Sequence, residues 1–140
     1  MTDSPRILLD THVWVWFEQG EERLPLRARN QIEQAAWSGS LYIASISLLE
    51  IANQYRHGRI QLSIPLEQWF TETLDQRGPQ TIPLTPAIAL ETTLLPDLFH
   101  EDPADRIIAS TARVEKLTLY PHDKALLRFG KQGLFHTVSI

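Results

Sequence analysis

The stretch Arg6-Ile7-Leu8-Leu9-Asp10-Thr11-His12 decides how the rest of the chain is read. Three apolar residues run straight into an acid. Ile7, Leu8 and Leu9 read as a short strand buried on both faces, as the strands of a parallel sheet are. Asp10 then sits at the strand's carboxyl end. In open α/β sheets, ligands bind in the crevice beyond those ends. An acid placed there can hold a metal ion. Taken alone, Asp10 also suits the N-cap of the helix that follows.

Outward from this stretch, residues 12–19 read as a helix stopped by Gly20. Val13, Trp14, Val15, Trp16 and Phe17 leave it almost no polar face. Successive helical residues lie about 100° apart, so Trp14 and Trp16 point to nearly opposite sides. The expectation is that one side meets a partner chain; the alternative is a central helix buried on both sides. Pro25 opens a second helix to about residue 38, with Ile32, Ala35 and Ala36 inward and Gly39 as its stop. Arg23, Arg27 and Arg29 cluster here and read as a solvated face. Leu41-Tyr42-Ile43-Ala44 is a second strand. Ser47 begins a third helix with Leu48, Leu49, Ile51, Ala52 and Tyr55 on its apolar face. Glu50, Asn53, Gln54 and His57 fall on its polar side, three and four apart.

Pro65 starts a helix to about residue 76, with Trp69, Phe70 and Leu74 inward. Thr81-Ile82-Pro83-Leu84 is a short strand that Pro83 confines to an edge. Thr85-Pro86 opens a helix to about residue 94. Asp102-Pro103-Ala104-Asp105 opens another, to about residue 115. Leu117-Thr118-Leu119-Tyr120 is a fourth strand, Pro121 and His122 form its turn, Asp123 opens a last helix, and residues 136–140 form a final strand. Strands alternating with helices predict a parallel-sheet α/β domain. No repeat, linker or low-complexity tract interrupts the pattern, so one domain over residues 1–140 is expected.

The composition is 43% hydrophobic and 21% charged, that of an ordinary globular chain. No cysteine is present, which removes disulfides and thiolate metal sites and fits a reducing compartment. No apolar run is long enough to span a membrane, and the start carries no signal-peptide pattern, so a cytoplasmic protein is expected. The formal net charge of −4 argues against nucleic-acid binding through bulk charge. A local groove, or bound divalent ions, can still supply a positive field.

Asp10, Glu50, Asp105 and Asp123 share one kind of position: each lies where a strand hands over to a helix or where a helix begins. In a doubly wound sheet those places converge on one edge. Carboxylates crowded into one crevice repel each other unless something positive sits between them. Mg²⁺ or Mn²⁺ takes oxygen ligands and suits such a cluster. Such ions can activate water and offset charge developing on a phosphate. Each acid has a plainer reading too. Ser47 with Glu50 matches a capping box. Asp102, Pro103 and Asp105 match a cap, a first-position proline and a first-turn acid. Asp123 suits a helix dipole. It is the joint placement that favours a site.

Three stretches carry a family resemblance: Leu8-Leu9-Asp10-Thr11-His12, Ser45-Ile46-Ser47-Leu48-Leu49-Glu50-Ile51-Ala52, and His100-Glu101-Asp102-Pro103-Ala104-Asp105-Arg106-Ile107-Ile108-Ala109. In order and spacing the chain resembles the PIN domain, and within it the VapC toxins of type II toxin–antitoxin systems. The resemblance covers nearly the whole chain. It implies a three-layer α/β/α sandwich with a central, mainly parallel sheet. It implies a metal-dependent ribonuclease, a cognate antitoxin that neutralises it, and a homodimer. The family's acids fall on Asp10, Glu50, Asp105 and Asp123, which would bind Mg²⁺ or Mn²⁺ and orient the attacking water. One motif departs from the family: a threonine usually stands two positions before the fourth acid, where this chain has Pro121-His122-Asp123. The missing hydroxyl could have oriented a carboxylate, so weaker metal binding at Asp123 is expected.

Arg106 is read as neutralising the acids or touching a phosphate, and Arg56, Arg59 and Arg106 as a cationic rim for RNA. His12 is read as structural, and His57, His100 and His122 as lacking metal-ligand spacing. The apolar first helix and the segment after Gly58 are the expected antitoxin contacts. A non-catalytic module of the same fold is the main alternative. A haloacid-dehalogenase-type phosphatase would need a second acid where His12 stands. A nucleotide-binding module would need a glycine-rich loop after the first strand.

Overall fold

In the computed structural model, residues 5–75, 77–96, 102–122, 124–131, 133 and 135–137 are described. The chain runs β1 (Ile7–Leu9), α1 (Thr11–Gln19), α2 (Leu26–Trp37), β2 (Leu41–Ala44), α3 (Ile46–Arg56), α4 (Leu66–Thr73), β3 (Gln80–Ile82), α5 (Pro86–Thr92), α6 (Pro103–Glu115), β4 (Thr118–Tyr120), α7 (Lys124–Lys131) and β5 (His136–Thr137). The five strands form one sheet in the order β3-β2-β1-β4-β5. Every pairing is parallel. β1 is the middle strand, with Leu9 level with Ile43 on one side and with Tyr120 on the other.

Side chains along a strand alternate between faces, and β1 uses both. Ile7 and Leu9 pack with Trp14 of α1, Ile32 of α2, Ile51 of α3 and Trp69 of α4. Leu8 points the other way, into Ile108 and Ala112 of α6 and Leu126 of α7. All three β1 side chains are fully buried, each stabilising the fold by about 1.5–3 kcal/mol relative to exposure. The result is the expected three-layer α/β/α sandwich. β3 is an edge strand, as Pro83 required, though it begins and ends slightly earlier than its apolar run, at Gln80 and Ile82. Of the expected last strand only His136 and Thr137 are seen pairing; residues 138–140 lie outside the described set.

The helix faces differ from their sequence reading in two places. On α3, Ile51 is buried, but Leu49 is 56% and Tyr55 41% exposed. Their heptad-like spacing suggested one apolar face, yet α3 is crossed by α1 on one side and α6 on the other, and those neighbours leave the Leu49 and Tyr55 edge open. On α1, Val13, Trp14 and Val15 belong to the core, while Trp16 and Phe17 are half-buried against it. Trp14 is therefore no docking residue. Arg29, expected on a solvated face, donates to the carbonyls of Phe17 (3.1 Å) and Glu21 (3.4 Å). A cation there closes the C-terminal end of α1, where carbonyls and dipole both favour it.

Trp14 sets the spacing between α1 and α4, its ring centroid 5.0 Å from that of Trp69. Its indole N–H is buried without a hydrogen-bond partner, so packing alone justifies the residue. Trp14→Ala is expected to cost about 3–5 kcal/mol in urea-induced unfolding. Trp14→Phe should cost much less, because it keeps an aromatic ring and removes the unpaired donor. Trp16→Ala should lie well below Trp14→Ala.

Candidate active site

The sheet order reverses at β1: the chain leaves it for β2 on one side and later returns to β4 on the other. Crevices form at such a switch point, beyond the carboxyl ends of the strands. Asp10 lies there. Its backbone N–H donates to the Tyr120 carbonyl (3.1 Å), which prolongs the β1–β4 pairing by one step and carries Asp10 to the mouth of the crevice.

Asp10 occupies the N-cap position of α1, but its side chain makes no cap bond. The carboxylate is 1% exposed. It accepts from the backbone N–H of His122 (3.3 Å) and contacts His122 Nδ1 through Oδ2. The plain capping role is thus not what this side chain performs. The capping box at Ser47 and Glu50 is likewise unformed: α3 starts at Ile46 with Ser45 as N-cap and no side-chain cap bond. Instead Ser47 Oγ is 2.7 Å from Thr11 Oγ1, and Thr11 Oγ1 donates to Glu50 Oε1. Two hydroxyls from different helices thereby fix the Glu50 carboxylate. Asp102 does cap α6, accepting from Ala104 N (2.8 Å) and Asp105 N (3.3 Å), and leaves Asp105 in the first turn. Arg106, expected to face the acids or a phosphate, donates through Nη2 to the carbonyl of Thr92 (2.7 Å). That bond ties α6 to the end of α5, as does the Arg113–Glu91 pair at 2.7 Å.

Asp10 raises both Glu50 and Asp105 by its charge, so the three acids lie in one neighbourhood, but among the described residues the group within ligand distance of one another is Asp10 with His12 and His122. Asp105 is pushed up to about 7, by burial first and then by the charges of Asp10 and Asp102. Glu50 is also raised, chiefly by burial and further by Asp10 and Asp102, against the lowering effect of the Thr11 bond. Asp123, the fourth acid of the sequence reading, lies outside the described residues.

The site includes two histidines that the sequence reading set aside. His122 contacts Asp10, and its ring stacks on His12 with centroids 4.4 Å apart and planes at 28°. One ligand atom from each of Asp10, His12 and His122 falls within 4.8 Å of the others. Their spacing along the chain gives no metal motif. The available signal was positional: His122 follows β4 as Asp10 follows β1.

A cleft of about 680 Å³ reaches Glu50, with His12, Trp16, Asn53, Arg59 and Asp102 also among its lining residues. Arg23 lies 5.4 Å over the Trp16 ring at its edge. Another hollow, of about 710 Å³, is lined by Lys116, Lys131 and His136. It shares no lining residue with that cleft.

These groups therefore offer oxygen and nitrogen donors, a crowded negative charge and an adjoining polar groove. The donor set fits a divalent cation. Without one, the crowding should cost stability. The folded Asp105 carboxyl holds its proton to about pH 7, whereas in an unfolded chain it gives it up near pH 4. Stability of the metal-free protein therefore falls as pH rises across that window. Asp105→Asn should raise the Tm at pH 8 by roughly 2–5 °C, about 1 kcal/mol after solvent screening. That gain should shrink towards zero at pH 4. Thermal melts in chelator at the two pH values check this.

Comparison with known proteins places the fold and the site in context. The PIN domain profile matches residues 7–132. Ribonuclease VapC22 of Mycobacterium tuberculosis (strain ATCC 25618 / H37Rv) is 36% identical over 120 residues, 86% of this chain and 88% of that protein. A crystal structure of VapBC2 from Rickettsia felis, bound to a DNA fragment from their promoter, contains a similar chain. It matches with a TM-score of 0.69 at 19% identity, over 94% of this chain and 96% of that one. A toxin–antitoxin complex from Klebsiella pneumoniae matches with a TM-score of 0.65 at 21% identity, over 95% and 96%.

Proposed function

Because the chain belongs to the PIN domain family, we propose that it is a VapC-type endoribonuclease that hydrolyses RNA phosphodiester bonds and is neutralised by a cognate antitoxin. The observation that carries this reading is that Asp10, Glu50 and Asp105, from three elements, lie within reach of one another's charge, with Asp105 raised to about 7 by burial first and then by Asp10, Asp102 and Glu50. Asp10, Glu50 and Asp105 would hold Mg²⁺ or Mn²⁺, with Asp123 as the fourth ligand of the proposal. When bound, a divalent ion supplies positive charge opposite the phosphate and makes water a better nucleophile.

The chain's own residues do the rest. Glu50 belongs to both the acid cluster and the cleft, so it is the carboxylate best placed to take a proton from water attacking in line. Thr11, held by Ser47, positions Glu50 for that role. Arg59 and Arg23 bring positive charge to a cleft whose amides, such as Asn53, can hydrogen-bond a single strand. Arg59 and its neighbours after Gly58 are also where an antitoxin would block access. The exposed Leu49, Tyr55, Leu90 (64%) and Leu94 (64%) lie on or beside α3 and α5, which both pack on α6. They are the apolar surface proposed for a homodimer. No helix among the described residues is long and apolar enough to cross a membrane; a cytoplasmic location is part of the proposal and rests on the proposed RNA substrate.

Purified antitoxin-free protein should cleave a mixed pool of cellular RNA with Mn²⁺ or Mg²⁺ and stop in chelator. Folded Asp10→Asn and Asp105→Asn variants should lose about a hundredfold or more in rate. Absence of cleavage together with absence of divalent-ion binding by the folded protein would instead mean a non-catalytic module. Glutamate at Leu49 and Leu90 should shift the mass measured by light scattering from dimer towards monomer without changing the fold.

A further inference from the structure

The carboxylates alone describe a hard oxygen site. The structure adds two imidazoles to it. His12 stands in the first turn of α1 and His122 just beyond β4, on either side of the switch point. Their rings are stacked, and His122 Nδ1 is in contact with Asp10 Oδ2. Ligand atoms around one divalent ion lie about 3–4.4 Å apart. Asp10, His12 and His122 each bring a ligand atom within 4.8 Å of the others, a spread that a small closing movement brings to the size of one ion's coordination sphere. The chain lacks a threonine two places before Asp123, and His122 occupies the position between them.

We propose that His12 and His122 are direct ligands of the site, joining Asp10 in a mixed nitrogen–oxygen set that selects Mn²⁺ over Mg²⁺. The inference rests on the reading above that the cluster holds a divalent ion. The chemistry is that of ligand softness. Mg²⁺ demands oxygen, keeps its waters and gains little from imidazole. Imidazole suits the later first-row ions best, and Mn²⁺ stands at the weak end of that series, yet as a transition ion it gains more from nitrogen than Mg²⁺ does. Two nitrogens and one carboxylate leave coordination positions open for the Glu50 and Asp105 carboxylates and for water. The stacked rings stand side by side at the crevice, so joint ligation requires one of them to turn its nitrogen towards the ion.

The test uses the full chain without antitoxin, with the metal ion alone as probe. Mn²⁺ binding is followed by electron paramagnetic resonance, and its nitrogen couplings by pulsed methods. The expected result is ¹⁴N coupling of directly bound imidazole in the wild-type protein, and retention of Mn²⁺ in a hundredfold excess of Mg²⁺. His122→Asn and His12→Asn should each weaken Mn²⁺ binding by about tenfold or more while changing Mg²⁺ affinity less than threefold. Mn²⁺ that binds without ¹⁴N coupling overturns the proposal and leaves the histidines as positioning groups for Asp10. Equal loss of Mn²⁺ and Mg²⁺ affinity in the variants also overturns it. If the wild-type protein binds no Mn²⁺ at all, the metal site of the proposed function fails and this inference with it. The wild-type spectrum decides the question even if a variant does not fold.

Discussion

β1 shares hydrogen bonds with β2 on one side and β4 on the other, while its side chains fill a core above the sheet and another below it. A strand in that position has no face or edge left for water, so Ile7, Leu8 and Leu9 must all be apolar. The chain can turn polar only where β1 stops. The first residue free to do so is Asp10, and the central position of β1 makes its exit the point where the sheet order reverses. The helices α1 and α6 converge there because each packs on one of the two cores. The place of the acid is thus a consequence of how the middle strand is buried.

That placement sets stability against function. Asp10 is almost wholly buried, and Glu50 and Asp105 are raised by burial and by the charges of Asp10 and Asp102. A fold selected for stability alone would not gather these groups. Their positions are held by the surrounding structure: Thr11 and Ser47 hold Glu50, the Asp102 cap holds the start of α6, and Arg106 ties that helix to α5. Sites that need charge concentrated in one crevice commonly carry this strain.

Several of these supporting residues look generic in the sequence. Ser47 and Glu50 have the spacing of a capping box, yet the hydroxyl and the carboxylate both turn to Thr11, 36 and 39 positions away. Arg29 looks like surface charge and instead closes α1. Arg106 looks like a phosphate contact and binds the Thr92 carbonyl. Asp102, by contrast, is the cap that its D-P-A-D context announces, because that motif is complete within four residues. Local motifs were legible where every partner is local.

The sequence by itself determined the parallel α/β layering, the burial of β1 on both faces, and the positions of Asp10, Glu50 and Asp105 at strand exits and helix starts. These depend on apolar runs, caps and stops, which act over a few residues and can be read in one pass. Only the tertiary structure decided that His122 meets Asp10 across 112 positions, that His12 stacks on it, and that Leu49 and Tyr55 stay open. The physical reason is that helical or strand periodicity says which side of an element is apolar. It does not say which neighbour covers that side. The register of β1 against β4 brings the two strand exits together, and that register is fixed by packing on both faces of the sheet at once.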